Sequence, residues 1–378
     1  MTRLPLSDVK VLDFTALLPG AICTQYLADL GADVTKIEPP GAGEAARGPE
    51  GTPPGGIFHV TNRNKRSVAL DLKQPDGVAV VRRLMADADI LVEGFRPGVM
   101  ARLGLGWDEV RAINPRLIYC SITGYGQNGP LAHKAGHDIN YQSYAGIVGQ
   151  NVIDGSRPSP GAVPVADLGG GSLTSAVAIL AALFDVQRTG QGRHIDISLT
   201  DTAMALNVAA LASKMMFGGR DPVPGRDILS GGLPCYRTYR TADGRYLAVG
   251  ALEPKFWHAF CTAIERPDLI ARGWDMGAGL EAAVSEIAAV IATRSLDQWM
   301  VIFEHVDACV SPVLTLEESL AHANTVARGM VAEVSGGGAT TTQYALPIRM
   351  TDFDFAVRRG PPLVGEHNGE VVTGEVAR

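Results

Sequence analysis

Between Val9 and Ile37 the chain alternates strand and helix in an order that leaves few folds open. Val9–Phe14 reads as a strand, Leu17-Leu18-Pro19-Gly20 as a turn, and Ala21–Leu30 as a helix stopped by Gly31. Asp33–Ile37 is a second strand, closed by Glu38-Pro39-Pro40. Two strands joined through a helix run parallel, because the crossover returns the chain to the same end of the sheet. The alternation continues through an amphipathic helix over 74–88, a strand at Ile90–Glu93 and a helix carrying Arg102. Further strands read at Leu117–Thr123 and His194–Ser198. The predicted fold class is α/β, with a large doubly wound, Rossmann-like domain. In such sheets ligands sit beyond the carboxyl ends of the strands. No G-x-G-x-x-G follows the first strand, so a dinucleotide site is not indicated.

The pattern changes after Gly218–Gly232, a segment rich in Gly, Pro and charge. Cys235–Thr241 and Arg245–Gly250 read as a β-hairpin, followed by helical patterns up to Glu304. A chain of 378 residues exceeds one typical core. The expected division is a large domain over 1–217, a linker and smaller α+β domain over 218–330, and a C-terminal segment over 331–378. Residues 41–56, rich in Gly, Pro and Ala, read as a mobile loop.

Composition narrows the function. Hydrophobic residues at 46% and charged residues at 19% fit a folded globular protein. A net charge of −7 argues against a nucleic-acid partner, so any anionic ligand needs a local basic cluster. The five cysteines are dispersed, with no C-x-x-C pair. That argues for a reducing compartment and against a disulfide framework or a metal site. The N-terminus lacks the apolar core of a signal peptide, and the longest apolar helix, interrupted by Thr174, Ser175 and Asp185, reads as too short to span a bilayer. The expectation is a soluble, cytoplasmic protein with no membrane partner.

The chemistry gathers in residues 136–172. His137 and Asp167 each lie near glycine, and Gly169-Gly170-Gly171 follows the acid. Glycines let backbone N–H groups approach a ligand, and a helix start offers unpaired donors to an oxyanion. An acid and a base beside such donors can deprotonate a carbon next to a carbonyl and stabilise the enolate. An Asp before a helix is also an ordinary N-cap, and a glycine run an ordinary loop. The helix from Leu173 to about Gln187 is apolar nearly all round and is expected to be buried. Arg63, Lys65, Arg66 and Lys73 crowd one stretch, a composition that suits phosphate oxygens and equally a solvated turn. The methionines of Met204–Phe217 fit either a varied acyl chain or plain core.

Several segments together resemble the family III CoA-transferase superfamily (CaiB/BaiF type), and within it the α-methylacyl-CoA racemases. They are Leu30–Pro40, Asn62–Lys73, Glu93–Gly98, Gly124–Pro130, Gly136–Tyr141, Ala166–Ser172, Val249–Pro254 and Gly365–His367, in order along nearly the whole chain. The resemblance implies an interlocked homodimer in which 331–378 returns to the large domain. It implies a racemase or epimerase that inverts the α-carbon of 2-methylacyl-CoA thioesters through an enolate, with His137 and Asp167 exchanging the proton. Glu253, supplied by the second subunit, and Asp138 would orient the histidine. The alternative is a CoA-transferase with Asp167 as nucleophile, which has no obvious use for His137. No cofactor is required, since CoA is part of the acyl-CoA substrate. For CoA the resemblance implies Leu70, Asp71, Leu72 and Lys73 about the adenine and Arg102 near the phosphates. Arg63 and Arg66 are further candidates, and Glu93, Gly136, Asp138, Asn140 and Tyr141 complete the expected set. Pro39 stands where racemase-like relatives can carry an arginine, which leaves the 3′-phosphate to another cation.

Overall fold

A computed structural model describes residues 4–49, 56–153 and 157–373. The chain divides into two compact units: 1–145 with 161–206 and 323–378, and 146–160 with 207–322.

The first unit is built on a six-stranded parallel sheet. Its strands are β1 (Lys10–Phe14), β2 (Asp33–Glu38), β3 (Lys65–Ala69), β4 (Ile90–Glu93), β5 (Ile118–Thr123) and a last strand, His194–Ser198. They pair in the order β3-β2-β1-β4-β5-last. Strands covered on both faces are near-continuous apolar runs, as Ile90-Leu91-Val92 and Ile118-Tyr119-Cys120 are here, all buried. The crossover from β1 to β2 is helix α1 (Leu17–Asp29), which ends at Gly31 with φ +116°. Phe14 pairs with Glu93, Glu93 with Ser121 and Ser121 with Asp196, so β1 and β4 finish at one level while β5 and the last strand run two residues further. The strand order reverses between β1 and β4, and that switch opens a crevice at the carboxyl ends.

Residues 323–373 cover the open edge of β3. Asn368 accepts from the Ala69 N–H at 2.8 Å and donates to the Ala69 carbonyl at 3.2 Å. His367 Nδ1 accepts from the Ser67 N–H at 3.2 Å. A covered edge cannot template pairing with another chain. The second unit carries an antiparallel three-stranded sheet, Val310–Pro312, Tyr246–Gly250 and Tyr236–Arg240, over a core that includes Trp257, Phe260 and Trp299.

Four expectations change. The helix Thr174–Thr189 buries Ile179, Ala182 and Val186 but leaves Val177 at 67% and Phe184 at 64% exposure. An all-round apolar sequence does not tell which face the fold covers. A π-helical segment, Ala166–Leu173, runs straight into it and makes a 24-residue helix, long and apolar enough to cross a bilayer. Within the unit, however, its Gly170, Gly171, Ser172 and Ile179 are buried. The sequence of 201–217 reads as one helix, but the structure has two, Leu199–Leu206 and Val208–Met216, broken at Asn207. In the expected mobile loop, residues 41–49 are anchored, because Glu38 accepts from the Glu44 N–H at 3.0 Å and from both arms of the Arg47 fork at 2.8 and 2.6 Å. Residues 50–55 of that stretch lie outside the described residues.

Candidate active site

A cleft of about 370 Å³ opens where β1, β4 and β5 end. Thr15 and Pro19 come from the β1–α1 connection, Phe95 and Arg96 from the turn after β4, and Thr123 from the end of β5. His137 and Asp167 line the same cleft.

His137 precedes the helix Asp138–Tyr144, and its N–H donates to Asn140 Oδ1 at 3.0 Å. That local bond fixes the backbone and leaves the imidazole exposed. Tyr141 wedges between two glycines. A Cβ would fall 2.4 Å from its ring at Gly124 and 2.7 Å at Gly136. Its hydroxyl donates to the Gly136 carbonyl. Burial, and then the neighbouring Asp167, push the Tyr141 phenol up to about 12, so it stays a neutral donor.

Asp138 joins the two halves of the site. Its Oδ1 accepts from the N–H of Ala166 at 2.9 Å and of Asp167 at 3.1 Å, while Gln142 donates to Oδ2. Asp167 therefore stands on a held backbone in the first turn of the π-helical segment. Burial, and then the Asp138 charge, push the Asp167 carboxyl up to about 7. A group poised there can hold or release a proton at neutral pH. Asp138→Asn keeps the acceptor oxygen but removes the charge. The pH midpoint for ionisation of Asp167 is expected to fall, read from the pH–rate profile or from carboxyl ¹³C shifts.

The glycine triplet does not form a loop. It lies inside the helical segment, where a Cβ on Gly170 would meet Thr202 Oγ1 at 2.5 Å and one on Gly171 would meet Leu199 Cδ2 at 2.4 Å. These residues are glycine because the helix beginning at Leu199 packs directly on them. The Asp167 N–H is not available to a ligand either, because it donates to Asp138.

Other sequence candidates fall elsewhere. Glu93 is buried at the end of β4, and its Oε2 accepts from the Phe95 N–H at 2.8 Å, which shapes the turn carrying Arg96. Burial raises its carboxyl to about 7 against the opposing bond from Ser121. Leu70, Asp71, Leu72 and Lys73 follow β3. Leu70 and Leu72 pack on the core, and the Lys73 N–H donates to Asp71 Oδ1 at 3.0 Å. Arg102 is exposed at the end of the short helix Val99–Arg102. None of these lines the cleft. Glu253 lies in the second unit, just before the helix Pro254–Ala263. Arg63 is committed to Asp29, Gln343 and the Tyr344 carbonyl, and Arg66 to Asp33 and Glu370. The Arg63 fork is used up, while Arg66 keeps only its buried Nε without a partner among the described residues.

Sequence reasoning passed over Arg96 and Lys134, two exposed cations on the cleft wall. Their side chains form no ion pair with another described residue. Arg96 sits just past the end of β4, where ligands of such sheets bind, and position alone could have found it.

The chain is 35% identical to human α-methylacyl-CoA racemase over 370 residues, 97% of this chain and 92% of that protein. It is 32% identical to mouse succinyl-CoA:glutarate CoA-transferase, over 97% of this chain and 86% of that protein. A solved CaiB/BaiF family protein from Brucella suis superposes with a TM-score of 0.83 at 30% identity, covering 98% of this chain and 99% of that one. From residue 6 to residue 368 the sequence matches the model of CoA-transferase family III, and the chain belongs to that family.

Proposed function

We propose that this protein inverts the α-carbon of 2-methylacyl-CoA thioesters by proton removal on one face and delivery on the other. The observation that carries the reading is that His137 and Asp167 line one cleft, with the Asp167 carboxyl raised to about 7. One group takes the α-proton as the other supplies one, and they exchange duties for the opposite enantiomer. No cofactor beyond the CoA of the substrate enters the reaction. In this reading CoA runs along the carboxyl ends of the strands, with its adenine near Leu70–Lys73 and its phosphates near Arg102, Arg96 and Lys134. The cations on that path also suit the pyrophosphate and the 3′-phosphate. Gly136 and Tyr141 form the floor beside the acyl end, and Asn140 holds the His137 backbone.

We further propose a cytoplasmic homodimer, in which the partner supplies Glu253 to the histidine. The exposure of Val177, Leu180 and Phe184 on one helix supports a covered face.

The test is incubation of a single-enantiomer 2-methylacyl-CoA in D₂O. Deuterium is expected at the α-carbon of both enantiomers, and its absence sinks the reading. A second reading, acyl transfer with Asp167 as nucleophile, draws on the 32% identity to a CoA-transferase. There the carboxylate attacks the thioester and expels CoA as thiolate. The thiolate then attacks the aspartyl carbonyl of the anhydride and releases the free acid. Hydroxylamine trapping of an aspartyl thioester, and a strict need for an acceptor carboxylate, identify that course.

A further inference from the structure

Gly365-Glu366-His367 is among the segments the sequence sets apart, yet none of it lines the cleft. It closes the outer edge of β3, and it does so with side chains as much as with backbone. Just past β3 the Leu70 N–H points inward and donates to the Glu38 carbonyl of β2 at 2.9 Å. Ser67 and Ala69 turn the other way. The Ser67 carbonyl accepts from the His367 N–H at 2.9 Å, and the Ser67 N–H donates to His367 Nδ1 at 3.2 Å. Asn368 meets Ala69 through two bonds of its own, at 2.8 and 3.2 Å. The Gly365 N–H donates to Ser67 Oγ at 2.8 Å, and that hydroxyl donates to Glu38. Further on, Glu370 pairs with Arg66, and Val371 and Val372 pack on the core under the sheet.

The two side chains differ in one respect. An amide oxygen accepts at any pH, whereas an imidazole nitrogen accepts only while it carries no proton. Because Nδ1 accepts, the neutral His367 ring holds its proton on Nε2. Once protonated, the ring has an N–H at both positions, and donor would face donor at Ser67. His367 is half-buried beside a cleft of about 340 Å³ that it shares with Arg359 and Glu366. Four charged groups act on the ring: Glu366 and Glu370 from its own segment, Arg359 from the chain leading into it, and Arg66 from β3. Burial is the largest effect and holds the imidazole below its ordinary value. The two acids oppose it and the two arginines add to it.

We infer that His367 and Asn368 form a clasp that seats the C-terminal segment on β3, and that the clasp loosens when the His367 ring takes up a proton. A histidine that must be neutral to bind contributes fully above its unfolded value of about 6.5. It loses that contribution as pH falls toward the lower folded value. Loosening bares the edge of β3, and a bare edge is a template for pairing with another chain. The segment thus makes the cover of the sheet depend on pH, independently of the reaction proposed above.

The test is amide hydrogen exchange of the full chain at single-residue resolution, corrected for the pH dependence of the exchange chemistry. Ser67 reports the clasp, and Leu70, bonded to β2, reports the sheet. In the wild type, protection at Ser67 is expected to hold steady above about pH 7. It should fall about 3- to 10-fold toward about pH 5, the net worth of one hydrogen bond, while Leu70 stays level. His367→Asn places an oxygen where Nδ1 stands and takes up no proton in this range, so its Ser67 protection should not change with pH. His367→Ala has no acceptor, and at neutral pH it should show the low Ser67 protection that the wild type reaches in acid. Level Ser67 protection in the wild type overturns the inference, as does the same fall in His367→Asn or a parallel fall at Leu70. Wild-type protection in His367→Ala at neutral pH also overturns it. So does a neutral ring whose ¹⁵N shifts place the proton on Nδ1.

Discussion

His137→Ala is expected to lower α-proton exchange on a single-enantiomer 2-methylacyl-CoA by about 10²–10⁴-fold, the usual contribution of a positioned acid–base group. The two faces should respond differently. Where Asp167 is the base, the α-proton can still leave, and Asp167, once exchanged with solvent, returns a deuteron to the same face. Where His137 is the base, removal itself fails. One enantiomer should therefore retain slow exchange without inversion while the other loses exchange altogether. The fold should be untouched, because the imidazole is exposed and the bond that fixes residue 137 uses its backbone N–H. Mass spectrometry of each enantiomer after incubation in D₂O separates these outcomes. Wild-type exchange in the variant removes His137 from the mechanism. The pH dependence carries the complementary signature. A carboxyl raised to about 7 is protonated below that pH and ionised above it. In His137→Ala, the exchange that still uses Asp167 as base should gain rate as pH rises through 7.

The parallel sheet was legible because burial on both faces forces apolar runs such as Ile90-Leu91-Val92, and because Gly31 marks where α1 must stop. His137 and Asp167 stood out as titratable groups near glycines, a setting that fits an N-cap and a loop equally well, and the structure brings both to one cleft. What the glycines do was not legible. Gly170 and Gly171 are small because Thr202 and Leu199 press on them, and those neighbours lie some thirty positions along the chain. The exposed face of the helix Thr174–Thr189 could not be read from composition, because apolar residues mark burial only when the surface that covers them is known.

The cluster Arg63–Lys73 shows the largest gap between sequence and structure. Its second cation looks like a surface charge, yet Lys65 is fully buried and all three of its donors are used. They go to Asp13 Oδ2 at 3.0 Å, the Ala21 carbonyl at 2.9 Å and Asn62 Oδ1 at 2.8 Å. Burial alone would raise the Asp13 carboxyl. The ammonium groups of Lys36 and Lys65, with the hydroxyls of Thr15 and Thr24, outweigh it and hold that carboxyl well below the usual range. Lys65→Met removes one of the two cations and strands the Asn62 and Ala21 oxygens. The expected loss is about 3–5 kcal/mol, the penalty for an uncompensated buried charge. For a unit of this size that is a fall of roughly 10 °C in the midpoint.

The sign with pH follows from the depressed carboxyl. Its stabilising contribution is full above the unfolded value of about 4 and is lost as pH falls below it. With one cation fewer the variant has less of that contribution to lose. The gap between wild type and Lys65→Met in urea titrations should therefore be widest near neutrality and narrow below about pH 4. Lys73→Met, at an exposed position eight residues on, should stay within about 0.5 kcal/mol of the wild type. A Lys65→Met midpoint indistinguishable from that control would mean that Asp13 is sustained by Lys36 and the threonine hydroxyls alone. The same network bonds the Thr15 carbonyl and N–H at the mouth of the cleft. Loss of Lys65 should therefore slow turnover beyond what the fall in folded population accounts for, because the backbone at Thr15 would lose part of the network that holds it in place.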